Sequence, residues 1–335
     1  MSSSGHTPSG WRVAGRSVRG NSHERTGMPN QDGLHWLPRE EVGGTVLLAL
    51  SDGHGSAKSF RSEIGSRLAV DVVTRGMHQF LESQVGGGLA LPDIERAAND
   101  MLPRSLVRDW QDKVGEHLAR NPFTAEERER LQAKDGDAGL TAVRKNPSLA
   151  YGATALSLAV TEHFILYIQI GDGDILVVGS DDQVTRPLPK DNRLFANQTT
   201  SLCTTDAWKD FRVCLQRLSA PSPALILLAT DGYANSFQDE SGFLQVGSDL
   251  SCMIRDRGWE AVTGDLEGWL REASRDGSGD DITVGLVAPY PPQSGRVSSD
   301  GSLLETSSLD FMPWTPVHQS RQDPPSEWAD ARRHV

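Results

Sequence analysis

Short apolar runs recur along the chain, and Gly, Asp or Pro bounds most of them. Their β-branched or alternating side chains predict strands rather than helices. The predicted strands cover residues 44–51, 153–160, 163–170, 174–179, 211–218, 224–230 and 282–288. Short links join the strands between residues 153 and 179, and such links favour antiparallel pairing.

Apolar residues at helical spacing interrupt the strands and predict helices over 56–83, 103–119 and 259–273. Residues 120–148 are charged and rich in Gly or Asn, which predicts a loop or a short helix. Several strands follow one another before a helix interrupts them, so single strands do not alternate with single helices. This order indicates an α+β protein and not a doubly wound parallel sheet.

The two ends of the chain differ in composition from the middle. Residues 1–10 are rich in Ser, Gly and Pro, and residues 291–335 are poor in aliphatic side chains. Both compositions are typical of segments that do not bury a core. We therefore predict a disordered N-terminus at 1–10, a single folded domain at 11–290 and a flexible tail at 291–335.

The 335-residue chain carries a formal net charge of −12. General binding to nucleic acid or to an anionic membrane needs a basic surface, so we expect neither partner. Cys203, Cys214 and Cys252 have no C-x-x-C spacing and indicate neither a disulfide framework nor a cysteine zinc site. The sequence shows no signal-peptide core and no apolar run of membrane-spanning length. We expect a cytoplasmic protein.

Acidic residues stand at the ends of the predicted strands, each close to Gly or Ser. The acids that share this placement are Asp32, Asp52, Asp172, Asp231, Asp280 and Asp281. A single Asp-Gly pair is typical of a turn. Strands that end at one edge of a sheet would instead gather these carboxylates in one place. Like charges cannot all stay ionised there without compensation, which divalent cations with oxygen ligands supply.

Two such ions about 3.5–4 Å apart can lower the pKa of a shared water and orient a phosphate for in-line attack. Other hydrolytic motifs are missing from the sequence, namely G-x-S-x-G, H-E-x-x-H and the phosphate loop G-x-x-x-x-G-K-[ST]. The acids therefore favour a metal-dependent reaction on a phosphate ester.

The motifs around these acids, taken in order, resemble the metal-dependent protein serine/threonine phosphatases of the 2C type, and most of all a bacterial branch of that family. The resemblance spans about residues 10–290. It is carried by GNSHERTGMPNQDG (20–33), LALSDGHGSAKSFRSEIG (49–66), YGATALSLAV (151–160), IQIGDGDILVV (168–178), LILLATDGYANSF (225–237) and SGDDITVGLV (278–287). It implies a four-layer fold, in which helices flank a β-sandwich of two antiparallel sheets, and two Mn²⁺ or Mg²⁺ ions at one end.

The resemblance also implies the metal-binding residues, which are Asp32, Asp52, Gly53 through its carbonyl, Asp172, Asp231 and Asp280. Asp52 would bridge the two ions, and Asp32 would hold their bound waters. Asp172 and Asp231 would contribute to a weaker third site. Asn235 stands where some relatives have an acid that assists this third ion, so the third site is less favoured here.

The implied catalytic residues are Asp32, Asp52, His54 and Arg25. A hydroxide that bridges the ions would attack phosphorus in line, and His54 would protonate the leaving oxygen. The family's phosphate-binding arginine would fall at Gly27, so Arg25 and His23 are the two candidates to replace it. Gln31 stands where the family often has a further acid.

The expected function is hydrolysis of phosphoserine and phosphothreonine in a phosphoprotein, in signalling that opposes a Ser/Thr kinase. Two alternatives stay open. One is a catalytically weak relative that binds phosphoproteins or regulators, which Gly27 and Gln31 favour. The other is a metal-dependent hydrolase of small phosphoesters. The presence of all the metal-binding acids favours an active enzyme.

Overall fold

A computed structural model describes residues 10–85, 88, 90–190, 199–218 and 222–290. These residues belong to one unit, Met1–Gln293. Residues 1–9 of the predicted disordered N-terminus and the whole predicted tail, 291–335, lie outside the described residues. Within the described ranges, no helix combines the length and the apolar character that a membrane span requires.

The strands, in chain order, are β1 (Gly10–Val18), β2 (Gly33–Leu37), β3 (Val42–Gly43), β4 (Val46–Ser51), β5 (Ala155–Val160), β6 (Phe164–Ile170), β7 (Asp174–Val178), β8 (Val184–Thr185), β9 (Arg212–Arg217), β10 (Leu225–Ala229) and β11 (Ile282–Tyr290). The first sheet has the strand order β3-β1-β11-β10-β7-β8, and the second has the order β2-β4-β5-β6-β9. Neighbouring strands are antiparallel in both sheets.

The α-helices are α1 (Asn21–Thr26), α2 (Ser62–Val85), α3 (Leu91–Asp100), α4 (Leu102–Arg120), α5 (Ala125–Lys145), α6 (Asp231–Ala234), α7 (Glu240–Arg257) and α8 (Trp259–Ala273). Short 3₁₀ helices lie at Ala57–Ser59, Pro147–Tyr151 and Ala207–Lys209, and a π-helical turn lies at Ser274–Ser278.

Strand β4 shows why the two sheets pack face to face. Val46, Leu48 and Leu50 belong to the core between the sheets. Leu47 and Ala49 point the other way, into the core under the helices. Successive side chains of a strand alternate between its faces, so an unbroken apolar run belongs to a strand that is covered on both sides.

Helices cover the outer face of each sheet. Residues of α2, α3, α4 and α5 share one core with the second sheet. Residues of α6, α7 and α8 share another core with the first sheet. The result is four layers, with two antiparallel sheets inside and helices outside, as the resemblance implied.

The prediction of a loop or short helix over 120–148 is wrong, because α5 occupies most of that range. Thr124 accepts a hydrogen bond from the backbone N–H of Glu127, and the Glu127 carboxylate accepts one from the backbone N–H of Thr124. This capping box satisfies two donors at the helix N-terminus and offsets the polar composition. Gly136, at φ 62°, breaks the helix geometry locally, while Leu131 and Val143 are buried on either side of it.

Arg61 joins α5 to the rest of the domain. The guanidinium is buried, and it donates two hydrogen bonds to Glu127, with Nε–Oε1 2.6 Å and Nη2–Oε2 2.8 Å. Nη1 donates to the Asn121 carbonyl at 2.7 Å and to the Tyr151 hydroxyl at 2.8 Å, and Nη2 donates to the Pro122 carbonyl at 3.1 Å. A planar guanidinium is suited to this bidentate pairing.

We expect Arg61→Met to lower the free energy of unfolding by about 3 kcal/mol, because it leaves the largely buried Glu127 carboxylate, the buried Tyr151 hydroxyl and two part-buried carbonyls without this donor. Urea unfolding monitored by circular dichroism measures the loss. The matched control is Arg96→Met, whose side chain is 71% exposed and pairs with Asp93 at 3.1 Å; it should cost less than about 0.5 kcal/mol. Equal costs for the two variants would contradict a structural role for Arg61.

Candidate active site

The strand register brings the acids of the second sheet together. Gly33 at the start of β2 lies opposite Ser51 at the end of β4. Asp32 precedes the first of these residues and Asp52 follows the second. An antiparallel pair therefore places both acids at the same end of the sheet.

The first sheet presents its acids at that end as well. Ala229, the last residue of β10, pairs with Asp174 of β7 on one side and with Val284 of β11 on the other. The residues just beyond these pairs include the predicted ligands Asp172, Asp231 and Asp280.

Asp52, Asp172 and Asp231 form the centre of the candidate site. Each can offer one carboxylate oxygen, and these oxygens lie within 4.8 Å of one another. The three acids line a cavity of about 1080 Å³. Asp280 lines the same cavity but is exposed, and it lies in a second group with His23 and Asp281.

Asp32 lies behind the cavity wall and is not among the residues that line the cavity. Its Oδ2 accepts hydrogen bonds from the hydroxyls of Thr230, at 2.9 Å, and Thr283, at 2.7 Å. Its Oδ1 is buried and has no hydrogen-bond partner among the described residues. Thr283 lies in β11 and Thr230 directly follows β10, both strands of the first sheet, whereas Asp32 directly precedes β2 of the second sheet. The Asp32 carboxylate therefore joins the two sheets at the site.

Backbone contacts fix the position of Asp52. Its N–H donates to the Thr154 hydroxyl at 2.9 Å, and its carbonyl accepts from the Thr154 N–H at 2.8 Å. A Cβ atom on the next residue, Gly53, would lie 2.5 Å from the carbonyl oxygen of Gln31. Glycine at this position allows the segment that carries Asp52 to lie close to the segment that carries Asp32.

His54 lines the cavity beside these acids. Its backbone N–H donates to the Gly152 carbonyl at 3.0 Å. Gly152 directly follows Tyr151, whose hydroxyl accepts a hydrogen bond from Arg61. A Cβ atom on Gly152 would lie 2.6 Å from Cδ2 of the ring, so the imidazole packs against bare backbone. Burial lowers the pKa of His54, and the charge of Asp172 opposes that shift.

The carboxylates of the site oppose one another's ionisation. Burial, together with the charges of Asp281 and Asp231, raises the pKa of Asp32 to about 8. Burial and four neighbouring acids, led by Asp32, raise the pKa of Asp52 well above its ordinary value. Burial and the charges of Asp172 and Asp280 raise the pKa of Asp231 to about 6. Desolvation and like charges both favour the neutral acid.

These features fit a site for hard divalent cations. Carboxylate oxygens are the ligands that Mg²⁺ and Mn²⁺ prefer. In the described part of the chain, Asp32 Oδ1 and Asp172 Oδ1 are buried atoms with no hydrogen-bond partner. The raised pKa values show that the ionised forms of Asp32, Asp52 and Asp231 are destabilised, and a bound cation would stabilise them with its positive charge.

The two candidates for phosphate binding lie in different surroundings. Both belong to α1. His23 lines the cavity, whereas Arg25 is exposed and is not among the described residues that line it. Gly27 ends the helix in the left-handed region, at φ 74°, where glycine is the favoured residue.

Residues 19–271 match the family model described as Protein phosphatase 2C. The chain belongs to the protein phosphatase 2C family. The match covers most of the described domain and includes every predicted site residue except Asp280, which lies beyond the matched range. A comparison with curated proteins gave no significant match.

Solved structures of protein phosphatase 2C members share the fold. A bacterial serine phosphatase is 16% identical, with a TM-score of 0.52, over 84% of this chain and 98% of that one. PppA of Pseudomonas aeruginosa, described as a key regulatory component of T6SS, is 18% identical, with a TM-score of 0.52, over 84% and 99%. Stp1, a serine/threonine phosphatase of Staphylococcus aureus, is 17% identical, with a TM-score of 0.50, over 85% and 96%.

The sequence analysis missed the threonines that hold the acids of this phosphatase 2C domain. Thr154 binds the backbone of Asp52, and Thr230 and Thr283 bind the carboxylate of Asp32. Their signal in the sequence is weak, because Thr is common in strands. Each does stand at a strand end within one of the motifs, and this placement was the available clue.

We expect the metal-free protein to lose stability as the pH rises from about 4 to about 8. A carboxyl group whose pKa is raised by folding binds its proton more tightly in the folded state, and this tighter binding stabilises the fold at low pH. The stabilisation disappears as the pH rises through the folded pKa. For Asp32, the window ends near the folded pKa of about 8. Thermal unfolding in EDTA at several pH values measures the effect.

The control for this experiment is Asp32→Asn, which keeps an acceptor for Thr230 and Thr283 and removes the titration. Its melting temperature should fall less between pH 5 and pH 8 than that of the wild type (roughly the window between the unfolded and folded pKa values). Saturating Mn²⁺ should reduce the wild-type fall. Identical pH profiles for the two metal-free proteins would contradict the raised pKa of Asp32.

Proposed function

We propose that this phosphatase 2C domain hydrolyses phosphoserine and phosphothreonine monoesters in proteins. The observation that carries the proposal is the convergence of Asp52, Asp172 and Asp231 within 4.8 Å, in a cavity that His54 also lines. Family membership supports the reaction class, and the geometry supports the assignment of residues to roles.

The residues that would hold two Mn²⁺ or Mg²⁺ ions are Asp52, Asp231, Asp280 and Gly53 through its carbonyl. When bound, such ions activate water for in-line attack on phosphorus and neutralise charge on the phosphoryl oxygens. Asp32 would hold the water molecules of the site through Oδ1, the oxygen that Thr230 and Thr283 leave free. A third site at Asp172 and Asp231 is weaker, because Asn235 supplies no charge.

His54 acts as the general acid. Its backbone bond to Gly152 fixes the residue beside Asp52, and the ring faces the cavity. Burial lowers the pKa of the ring, which makes its conjugate acid a stronger proton donor. The proton passes to the serine or threonine oxygen as the bond to phosphorus breaks.

The substrate is a phosphoprotein produced by a Ser/Thr kinase, and the protein opposes that kinase in signalling. The absence of C-x-x-C spacing among Cys203, Cys214 and Cys252 supports reduced cysteines and a cytoplasmic location. The net charge of −12 supports neither a nucleic-acid nor a membrane partner.

Asp52→Asn should lower kcat/KM for a phosphoserine peptide with Mn²⁺ by more than about 100-fold, since even the residues behind metal ligands contribute about 10–100-fold. Phosphate release measures the rate. Asp109→Asn, on an exposed part of α4 where Asp109 pairs with Arg108 at 2.9 Å, is the matched control and should keep wild-type activity. A fully active Asp52→Asn variant would refute the metal assignment.

The same assay separates the alternatives for the wild type. Hydrolysis of phosphopeptides supports the proposal. Hydrolysis confined to small phosphate metabolites would support a small-phosphoester hydrolase instead. Tight binding of a phosphopeptide without turnover, at saturating Mn²⁺, would support a regulatory binding protein.

His54→Gln should lower kcat/KM about 100-fold for a phosphoserine peptide, whose alkoxide leaving group needs a proton. The loss should be much smaller for an aryl phosphate with an acidic phenol as its leaving group. The ratio of the two rates is the measurement, because a distorted metal site would lower both equally. Equal losses for the two substrates would exclude His54 as the general acid.

A further inference from the structure

Besides metal ions, basic and hydrogen-bonding side chains can help a cavity to receive a phosphoryl dianion. The lining of this cavity includes Lys58, Arg186, Lys190 and Arg212, and His23 of α1 lies on the side of Asp280. Of the candidates on α1, Arg25 is exposed outside the cavity lining, and Gly27 has no side chain. His23 lies in the lining itself. We propose that His23, held by the buried carboxylate of Asp281, contacts the phosphoryl group of the substrate, in the place where the family has an arginine. This inference rests on the proposed function.

Asp281 holds the histidine ring in one orientation. Its Oδ2 lies 2.9 Å from Nδ1 of His23 and also accepts the backbone N–H of Gln31 at 2.6 Å. Its Oδ1 accepts the backbone N–H of Gly20 at 2.6 Å. The side chain of Asp281 is only 3% exposed, whereas that of His23 is 17% exposed. Since Nδ1 is engaged by Asp281, the Nε2 edge of the ring is the one available to the cavity.

The backbone around His23 is fixed to the segment that precedes β11 and carries Asp280 and Asp281. The Ser22 hydroxyl donates to the Gly279 carbonyl at 2.6 Å, and the Ser22 N–H donates to the same oxygen at 2.9 Å. The Asn21 N–H donates to the Ser274 hydroxyl at 3.0 Å. These bonds tie the start of α1 to the loop before β11, so His23 keeps its place relative to Asp280.

A metal-binding role for His23 fits the contacts less well. His23, Asp280 and Asp281 do have potential ligand atoms within 4.8 Å of one another. However, both oxygens of Asp281 already accept N–H donors, from Gly20, Gln31 and His23. Asp281 therefore acts as an acceptor that orients the ring, in the way that a carboxylate orients a histidine through its other nitrogen.

The contacts of the ring suit a phosphate ligand. A phosphoryl oxygen at Nε2 would place an acceptor at each ring nitrogen, an arrangement that a doubly protonated imidazole satisfies by donating from both. An Asn at position 281 would offer one acceptor oxygen instead of two, so it could not accept both from Gly20 on one side and from His23 and Gln31 on the other.

The test measures binding of inorganic phosphate to the Mn²⁺-loaded protein by calorimetry. The variant is His23→Asn, whose side-chain amide can keep the bond from the Nδ1 position to Asp281 and removes the Nε2 edge. We expect the Kd for phosphate to rise roughly 10- to 100-fold, the effect of one lost charge-assisted hydrogen bond. The Kd for Mn²⁺ and the melting temperature should stay at their wild-type values.

Two further variants sharpen the result. His78→Asn, at an exposed histidine of α2 that contacts Glu82 at 3.5 Å, is the matched control and should bind phosphate normally. Asp281→Asn should weaken phosphate binding in the same direction as His23→Asn, because it releases the ring. Unchanged phosphate binding in His23→Asn would overturn the inference, and so would a loss confined to Arg25→Gln. Weaker Mn²⁺ binding in His23→Asn would assign the ring to the metal and overturn it too.

Failure of the proposed function gives a different pattern. A wild-type protein that binds phosphate through His23 but hydrolyses no phosphopeptide keeps the His23 inference and loses the catalytic proposal. A wild-type protein that hydrolyses phosphopeptides, with a KM that His23→Asn leaves unchanged, keeps the catalytic proposal and loses the inference.

Discussion

Mutual repulsion among buried carboxylates is the constraint on which the rest of this structure depends. Several acids meet at one end of the sandwich, where burial and neighbouring charges raise the pKa values of Asp32, Asp52 and Asp231. Such a cluster is costly for a folded chain unless positive charge is supplied. Divalent cations supply that charge, so metal binding would relieve the electrostatic cost of the cluster.

The fold holds the acids in place with neutral donors rather than with cations. Hydroxyls of Thr230 and Thr283 bind Asp32, and Thr154 binds the backbone of Asp52. These threonine hydroxyls hold the Asp32 carboxylate and the Asp52 backbone without supplying a compensating positive charge, which is left for a metal ion to provide. The buried cation Arg61 is instead paired with Glu127, and its bond to Tyr151 supports the segment that contacts His54.

The contact proposed for the substrate phosphate comes from a separate element. Helix α1 carries His23 against Asp281, on the side of the cavity where Asp280 lies. In a family member with arginine at the position of Gly27, that side chain would reach the phosphate from the end of α1. On this proposal, the pairing of His23 with Asp281 accounts for a phosphate contact in a chain that has Gly27 where the family has its arginine.

The sequence by itself determined the α+β class, the covered strands and the placement of acids at strand ends, because alternation and turn chemistry are local properties. It misjudged α5, because the capping box at Thr124 and the burial of Leu131 outweighed a composition typical of loops. Only the tertiary structure decided that Asp32 lies behind the cavity wall and that His23, not Arg25, lines the cavity. Those facts depend on contacts between residues some 200 positions or more apart, such as Thr230 with Asp32 and Asp281 with His23, and no local pattern encodes such contacts.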